Sequence, residues 1–131
     1  MNYNSLTTRH FENPAHTGVL TGAGVRRGTA GGRAQGTWVQ FDVQVHEAPD
    51  QADSIAAVRF LAYACPHVIA IADYVAQAAV GRPAAAALPE TIDALRRRFD
   101  VPVEKLGRLL LVEDAWIRAV SPPYPRDVSS A

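Results

Sequence analysis

One stretch, AYACPHVIA from Ala62 to Ala70, concentrates the chemistry this chain could do. It holds Cys65, the only cysteine, with His67 two residues on. Three readings of that thiol compete. A lone cysteine often behaves as a small, buried apolar side chain. A thiol at a helix N-terminus beside a cation is shifted towards thiolate and can accept sulfur as a persulfide. A Cys-x-His pair can also offer a sulfur and a nitrogen to zinc, which wants about four ligands. Cys65 and His67 are therefore the candidate metal residues, with further donors expected from a second chain. The remaining histidines have no partner that spacing reveals. His10 is expected to pack or hydrogen-bond within an N-terminal helix, His16 to follow Asn13-Pro14 in a turn, and His46 to lie on the polar face of a strand. His67 itself is expected to be partly exposed. Glu113 and Asp114 are neighbours on a helix and point about 100° apart, which does not suit a pair of catalytic carboxylates. No catalytic residues emerge, and the chain is read as a non-enzyme.

The elements that must position Cys65 follow from periodicity. TWVQFDVQVHE (37–47) alternates Val39, Phe41, Val43 and Val45 with mostly polar residues, the pattern of a half-buried strand. APDQAD (48–53) reads as a turn, and SIAAVRFLAYA (54–64) as a second strand, so the pair predicts an antiparallel hairpin. After Cys65 the period changes: Val68, Ala72, Val75 and Ala79 share a helical face. Pro66 suits the first helical turn and Gly81 ends the helix. Cys65 is thus expected where a strand hands over to a helix.

Upstream, YNSLTTRHFENP predicts a short helix capped by Asn4 or Ser5. GVLTGAGVRRGTAGGRAQG lacks the Gly-Lys-Ser/Thr of a phosphate loop. It reads as a weak edge strand around Val19 to Val25 followed by a flexible loop. LPETIDALRRRFD predicts a short helix with Ile92, Leu95 and Phe99 as its apolar stripe. VEKLGRLLLVEDAWIRAV predicts a longer one carrying Leu109, Val112, Trp116 and Val120. The expected fold is α+β, a small three-stranded antiparallel sheet with helices packed on one face. Residues 1–120 form the expected single domain, and 121–131 a Pro- and Ser-rich tail.

Composition narrows the setting. The 131 residues carry a formal net charge of +0, so no global field draws the chain to nucleic acid or an acidic membrane. Lys105 is the only lysine. One cysteine excludes an internal disulfide, the N-terminal stretch is polar, and no run is long enough to span a bilayer. The expectation is a cytoplasmic protein with a reduced thiol.

Three stretches, in order, resemble one known family. RHFENPAHTG (Arg9–Gly18) resembles an opening H-[YF]-x-N-P-x-x-x-G. VRFLAYAC (Val58–Cys65) resembles the strand leading to the family's second cysteine, and EKLGRLLLVEDAWIRAV (Glu104–Val120) the helix K-L-H-C-S-x-L-A-x-[ED]-A that carries its third. The family is that of the NifU N-terminal and IscU-type iron–sulfur cluster assembly scaffolds, and the match spans about Tyr3 to Val120. The resemblance implies a protein that helps assemble a cluster and pass it on, with a cysteine desulfurase or other assembly proteins as partners. It also implies a site of three cysteines, an aspartate and a histidine, since soft thiolates hold iron–sulfur clusters.

At the matching positions the ligands have changed. The first cysteine is Gln35, the aspartate Thr37, the histidine Gly107 and the third cysteine Arg108; Cys65 alone is kept. The family's chaperone-recognition stretch L-P-P-V-K corresponds to Val101-Pro102-Val103-Glu104-Lys105. The implied protein is a degenerate scaffold that acts through partner binding, with Cys65 as a sulfur acceptor. A cluster bridging a homodimer, a regulatory binding module that kept the fold without the metal chemistry, and a zinc-binding protein are the alternatives.

Overall fold

A computed structural model describes residues 3–121 apart from Ala86; most of the expected tail lies outside the described residues. Its central strand takes its side-chain alternation from the sequence. Counting β1 (Val25–Gly32), β2 (Thr37–Ala48) and β3 (Gln51–Tyr63), the sheet order is β1-β2-β3 and both pairings are antiparallel. Along β2, Val39, Phe41 and Val43 are fully buried and Val45 nearly so. They form the floor on which the helices pack. The expected six-residue turn shrinks to Pro49 and Asp50, because the ladder runs on to the Ala48–Gln51 pair with two register shifts.

Four helices complete the fold: α1 (Ser5–Glu12), α2 (Pro66–Ala79), α3 (Ile92–Arg98) and α4 (Leu106–Val120). A 3-10 turn, Val103–Lys105, leads into α4. Helix α4 packs on β1 and β2, α2 packs on β3, and α1 packs on α2. The cap of α1 is Asn4, whose side chain accepts from the Thr7 amide at 2.8 Å, satisfying one of the donors a helix start leaves open. Thr91 caps α3 in the same way. Trp116 of α4 meets Phe41 of β2 edge to face with ring centres 5.3 Å apart, a favoured aromatic geometry. The expected α+β architecture is the one observed.

The glycine-rich segment differs from expectation. Val25–Gly32 is a strand rather than a flexible loop, and the chain from Val19 to Gly24 precedes it as bends and turns. Packing explains this. A Cβ at Gly28 would overlap the backbone of Ala115 and Ala119. The glycine lets α4 lie directly on β1, so residues that look like loop formers are a close-approach surface.

The sheet's outer face and edges are also occupied. Asp42 is completely buried there, held by Arg27 through Nε at 2.7 Å and Nη2 at 2.9 Å, and by the Leu20 amide at 2.9 Å. On the β3 edge, the Phe60 amide donates to His16 O and Phe60 O accepts from the Gly18 amide, each at 2.9 Å. Further along, the Ile55 amide donates to Arg82 O at 2.9 Å. On β1, Arg118 donates to Thr29 O at 2.8 Å.

Candidate functional site

Cys65 follows the last residues of β3 and is the N-cap of α2, with Pro66 in the first turn. Its backbone is extended (φ −74°, ψ 165°), and its carbonyl accepts from the Val68 and Ile69 amides at 3.1 Å each. The thiol is half-buried. Lys105, in the turn before α4, brings Nζ to 3.9 Å from the Cys65 sulfur and to 3.0 Å from His67 Nδ1. An ammonium has donors only, so Nδ1 must accept, and the neutral His67 ring carries its proton on Nε2.

These surroundings set the charge states. Burial pushes the Cys65 thiol up, but the Val68 amide, the Arg108 side chain, the Lys105 ammonium and the His67 amide together leave it below its ordinary value of 9.0. Burial pushes His67 down from 6.5, and the adjacent Lys105 pushes the same way against a weaker pull from Asp100. The arrangement is a thiol inclined to thiolate, faced by the basic side chains of Lys105 and Arg108 and a neutral imidazole.

Each residue singled out in the sequence can now be placed. His67 is buried at 3% exposure, not partly exposed, and the Tyr3 ring meets it edge-on at 4.7 Å. Gln35 is exposed in a 3-10 turn, Arg33–Gln35, just before β2. Thr37 begins β2 and is buried, and among the described residues its hydroxyl has no partner. The antiparallel register sets Trp38 opposite Tyr63, so the start of β2 and the approach to Cys65 share one end of the sheet. Gly107 and Arg108 are exposed in the first turn of α4. The structure thus brings Cys65, His67, Lys105 and Arg108 together, with Gln35 and Thr37 at the same end. Lys105 was not singled out for this role. The available signal was that the sole lysine lies in the stretch holding Gly107 and Arg108.

The donor set does not fit a cluster or a zinc ion held by this chain alone. Cys65 is the one thiolate, and His67 Nδ1 is taken by Lys105. Among the described residues no three or more His, Cys, Asp or Glu side chains gather as ligands. Soft-metal sites need about four donors, and two cations beside the sulfur oppose a third.

A second polar group is built around Asp73 of α2. Asp73, 1% exposed, is 2.7 Å from His10 Nδ1, accepts from the His16 amide at 3.0 Å, and lies 3.5 Å from His16 Nδ1. His10 therefore reaches across to α2 instead of bonding within its own helix. It borders a cleft of about 300 Å³ with Arg9, Asn13, Asp73 and Gln77.

An α+β domain with a thiol at the strand-to-helix junction is the class this geometry defines. The chain matches the NifU-like N terminal domain over residues 2–129 and belongs to that family. Among solved structures it is similar to one named as an iron–sulfur cluster assembly scaffold protein for the SUF system, from the thermophile Fervidobacterium islandicum AW-1. The TM-score is 0.63 at 12% identity, covering 91% of this chain and 96% of that one; at that identity the likeness speaks for the fold. Among curated proteins none matches. No helix among the described residues is long and apolar enough to cross a membrane.

Proposed function

We propose that this protein serves iron–sulfur cluster assembly as a degenerate, non-enzymatic scaffold that docks a sulfur-donating partner and receives sulfur on Cys65. Family membership supports the assembly role. The observation that carries the sulfur step is the pairing of the Cys65 sulfur with Lys105 Nζ at 3.9 Å. In that step the Cys65 thiolate attacks the terminal sulfur of a partner's persulfide. A new S–S bond forms to Cys65 as the partner's S–S bond breaks, and the partner's cysteine leaves as a thiolate. The proton remains on the transferred sulfur, so atoms balance and no outside oxidant is needed. Lys105 and Arg108 offset the negative charge that lies on the Cys65 thiolate before the attack and passes to the leaving thiolate. A cysteine desulfurase is the partner class that supplies such a persulfide.

The test is to mix the purified protein with a cysteine desulfurase and cysteine and to follow intact mass. One added sulfur on the wild type, absent from Cys65→Ala and slowed in Lys105→Met, is the expected result. No added sulfur on the wild type overturns the sulfur step.

The occupation of His67 Nδ1 by Lys105 favours a second reading, a regulatory binding module without metal or sulfur chemistry. Under it, Cys65→Ala binds the desulfurase and changes cluster assembly as the wild type does. A zinc-bridged homodimer, completed by donors from a second copy, separates into monomers on chelation during gel filtration.

A further inference from the structure

Apart from Cys65, an open cavity of about 670 Å³ is lined by Gly32, Arg33, Trp38 and Tyr63. That volume lies within the range of small-molecule sites, about 300–1,000 Å³. Trp38 and Tyr63 are directly opposite in the β2–β3 register, so both rings leave the same face of the sheet as close cross-strand neighbours. On the other side of Trp38 the β1 partner is Gly31, which sets no side chain beside the indole. Tyr63 is 66% exposed, an unusual cost for an aromatic ring that only packs. Arg33 is exposed, and among the described residues no carboxylate pairs with it.

We propose that this cavity is a binding site for a planar aromatic anion, its ring against Trp38 and Tyr63 and its negative group against Arg33. The two rings supply flat, polarisable area without specific hydrogen bonds, which suits an aromatic ring of either fused or single type. The guanidinium supplies the charge and the planar donors that a phosphate or carboxylate prefers. A bare anion would leave the rings unused, and a neutral ring would leave Arg33 unused. Nucleoside monophosphates and aromatic carboxylates share this chemistry.

The protein carries its own control. Trp116 is 1% exposed, and its indole N–H donates to Ala87 O at 3.1 Å, so its NMR signal reports the core while that of Trp38 reports the cavity. The experiment titrates the full chain, labelled with nitrogen-15, with AMP, 2-naphthoate, adenosine and inorganic phosphate. Trp38→Phe assigns the two indole signals. Saturable movement of the Trp38 signal alone, with AMP or with 2-naphthoate, is the expected result. Movement with AMP only identifies a nucleotide as the source, and movement with 2-naphthoate only identifies an aromatic carboxylate. Tyr63→Ala and Arg33→Ala are exposed changes that leave the fold intact, and each weakens binding roughly tenfold. No movement of Trp38 with either ligand up to about 5 mM overturns the site. So does an equal response to adenosine or phosphate alone, or unchanged affinity in both variants.

Discussion

Nδ1 of His10 lies 2.7 Å from Oδ2 of Asp73, a pair 63 residues apart in sequence and almost wholly buried. The same carboxylate takes the His16 amide through its other oxygen. One side chain on α2 therefore fixes both α1 and the segment that runs along the β3 edge. Removing it strands two imidazole-bearing elements at once. Asp73→Ala is expected to lower stability by about 3 kcal/mol, because it leaves the buried His10 ring and the His16 amide without their shared acceptor. Urea denaturation measures this, and amide exchange should show Phe60 and Gly18 losing protection first. A loss below about 0.5 kcal/mol, the size of an ordinary surface change, would contradict the clip.

Alkylation of Cys65 should report the cations beside it. The thiolate is the reactive form, and its surroundings hold it below the ordinary 9.0. The iodoacetamide rate is expected to reach half its plateau below that pH, and Lys105→Met to move the midpoint up. A wild-type midpoint at or above the ordinary value would remove the basis for a reactive thiol.

Asp42 predicts a specific loss of stability in acid. Burial raises its carboxyl, but Arg27 and the Leu20 amide outweigh that and leave it below 3.8. The unfolded chain therefore takes up the proton first. The contribution is fully present above about pH 3.8 and disappears as pH falls through the lower folded value. Asp42→Asn should cost about 2 kcal/mol at neutral pH, since Arg27 loses its charged acceptor. It should also flatten the acid limb of the stability–pH curve. A parallel, undiminished limb in the variant would assign that limb to other groups.

Gly28 is the point where β1 and α4 touch backbone to backbone. Gly28→Val is expected to destabilise by about 3 kcal/mol through overpacking, whereas the same change at Gly107, which has open space around it, should cost little or gain. Thermal melts of the two variants compare them directly. Equal losses would mean that α4 does not lie as close to β1 as described.

The legible parts of this fold are those with a strong local period. The alternation of Val39, Phe41, Val43 and Val45 marked β2, the run 54–64 after a Pro- and Asp-rich turn marked β3, and the change of period after Cys65 located α2. β1 was not legible, because Gly28 answers to a helix from the far end of the chain rather than to its neighbours. The same holds for the site. Cys65 at a helix start followed from Pro66 and the period change. Its pairing with Lys105, and that of His10 with Asp73, depend on how helices stack across the sheet, which no spacing along the chain encodes. His67 was misjudged for the same reason: the residues that bury and bond it come from the opposite ends of the chain.

The β3 edge of the sheet is partly occupied by the chain itself. Phe60 and Ile55 on β3 already exchange backbone hydrogen bonds with the His16–Gly18 and Arg82 segments, and the Thr29 carbonyl on β1 is taken by Arg118. A free strand edge is a template for adding another chain's strand, in productive assembly or in aggregation. On β3 that template is interrupted at Ile55 and Phe60 by segments of the same molecule. A strand added there would first have to displace the chain's own backbone, so self-coverage of this edge is a guard against growth into a continuous sheet.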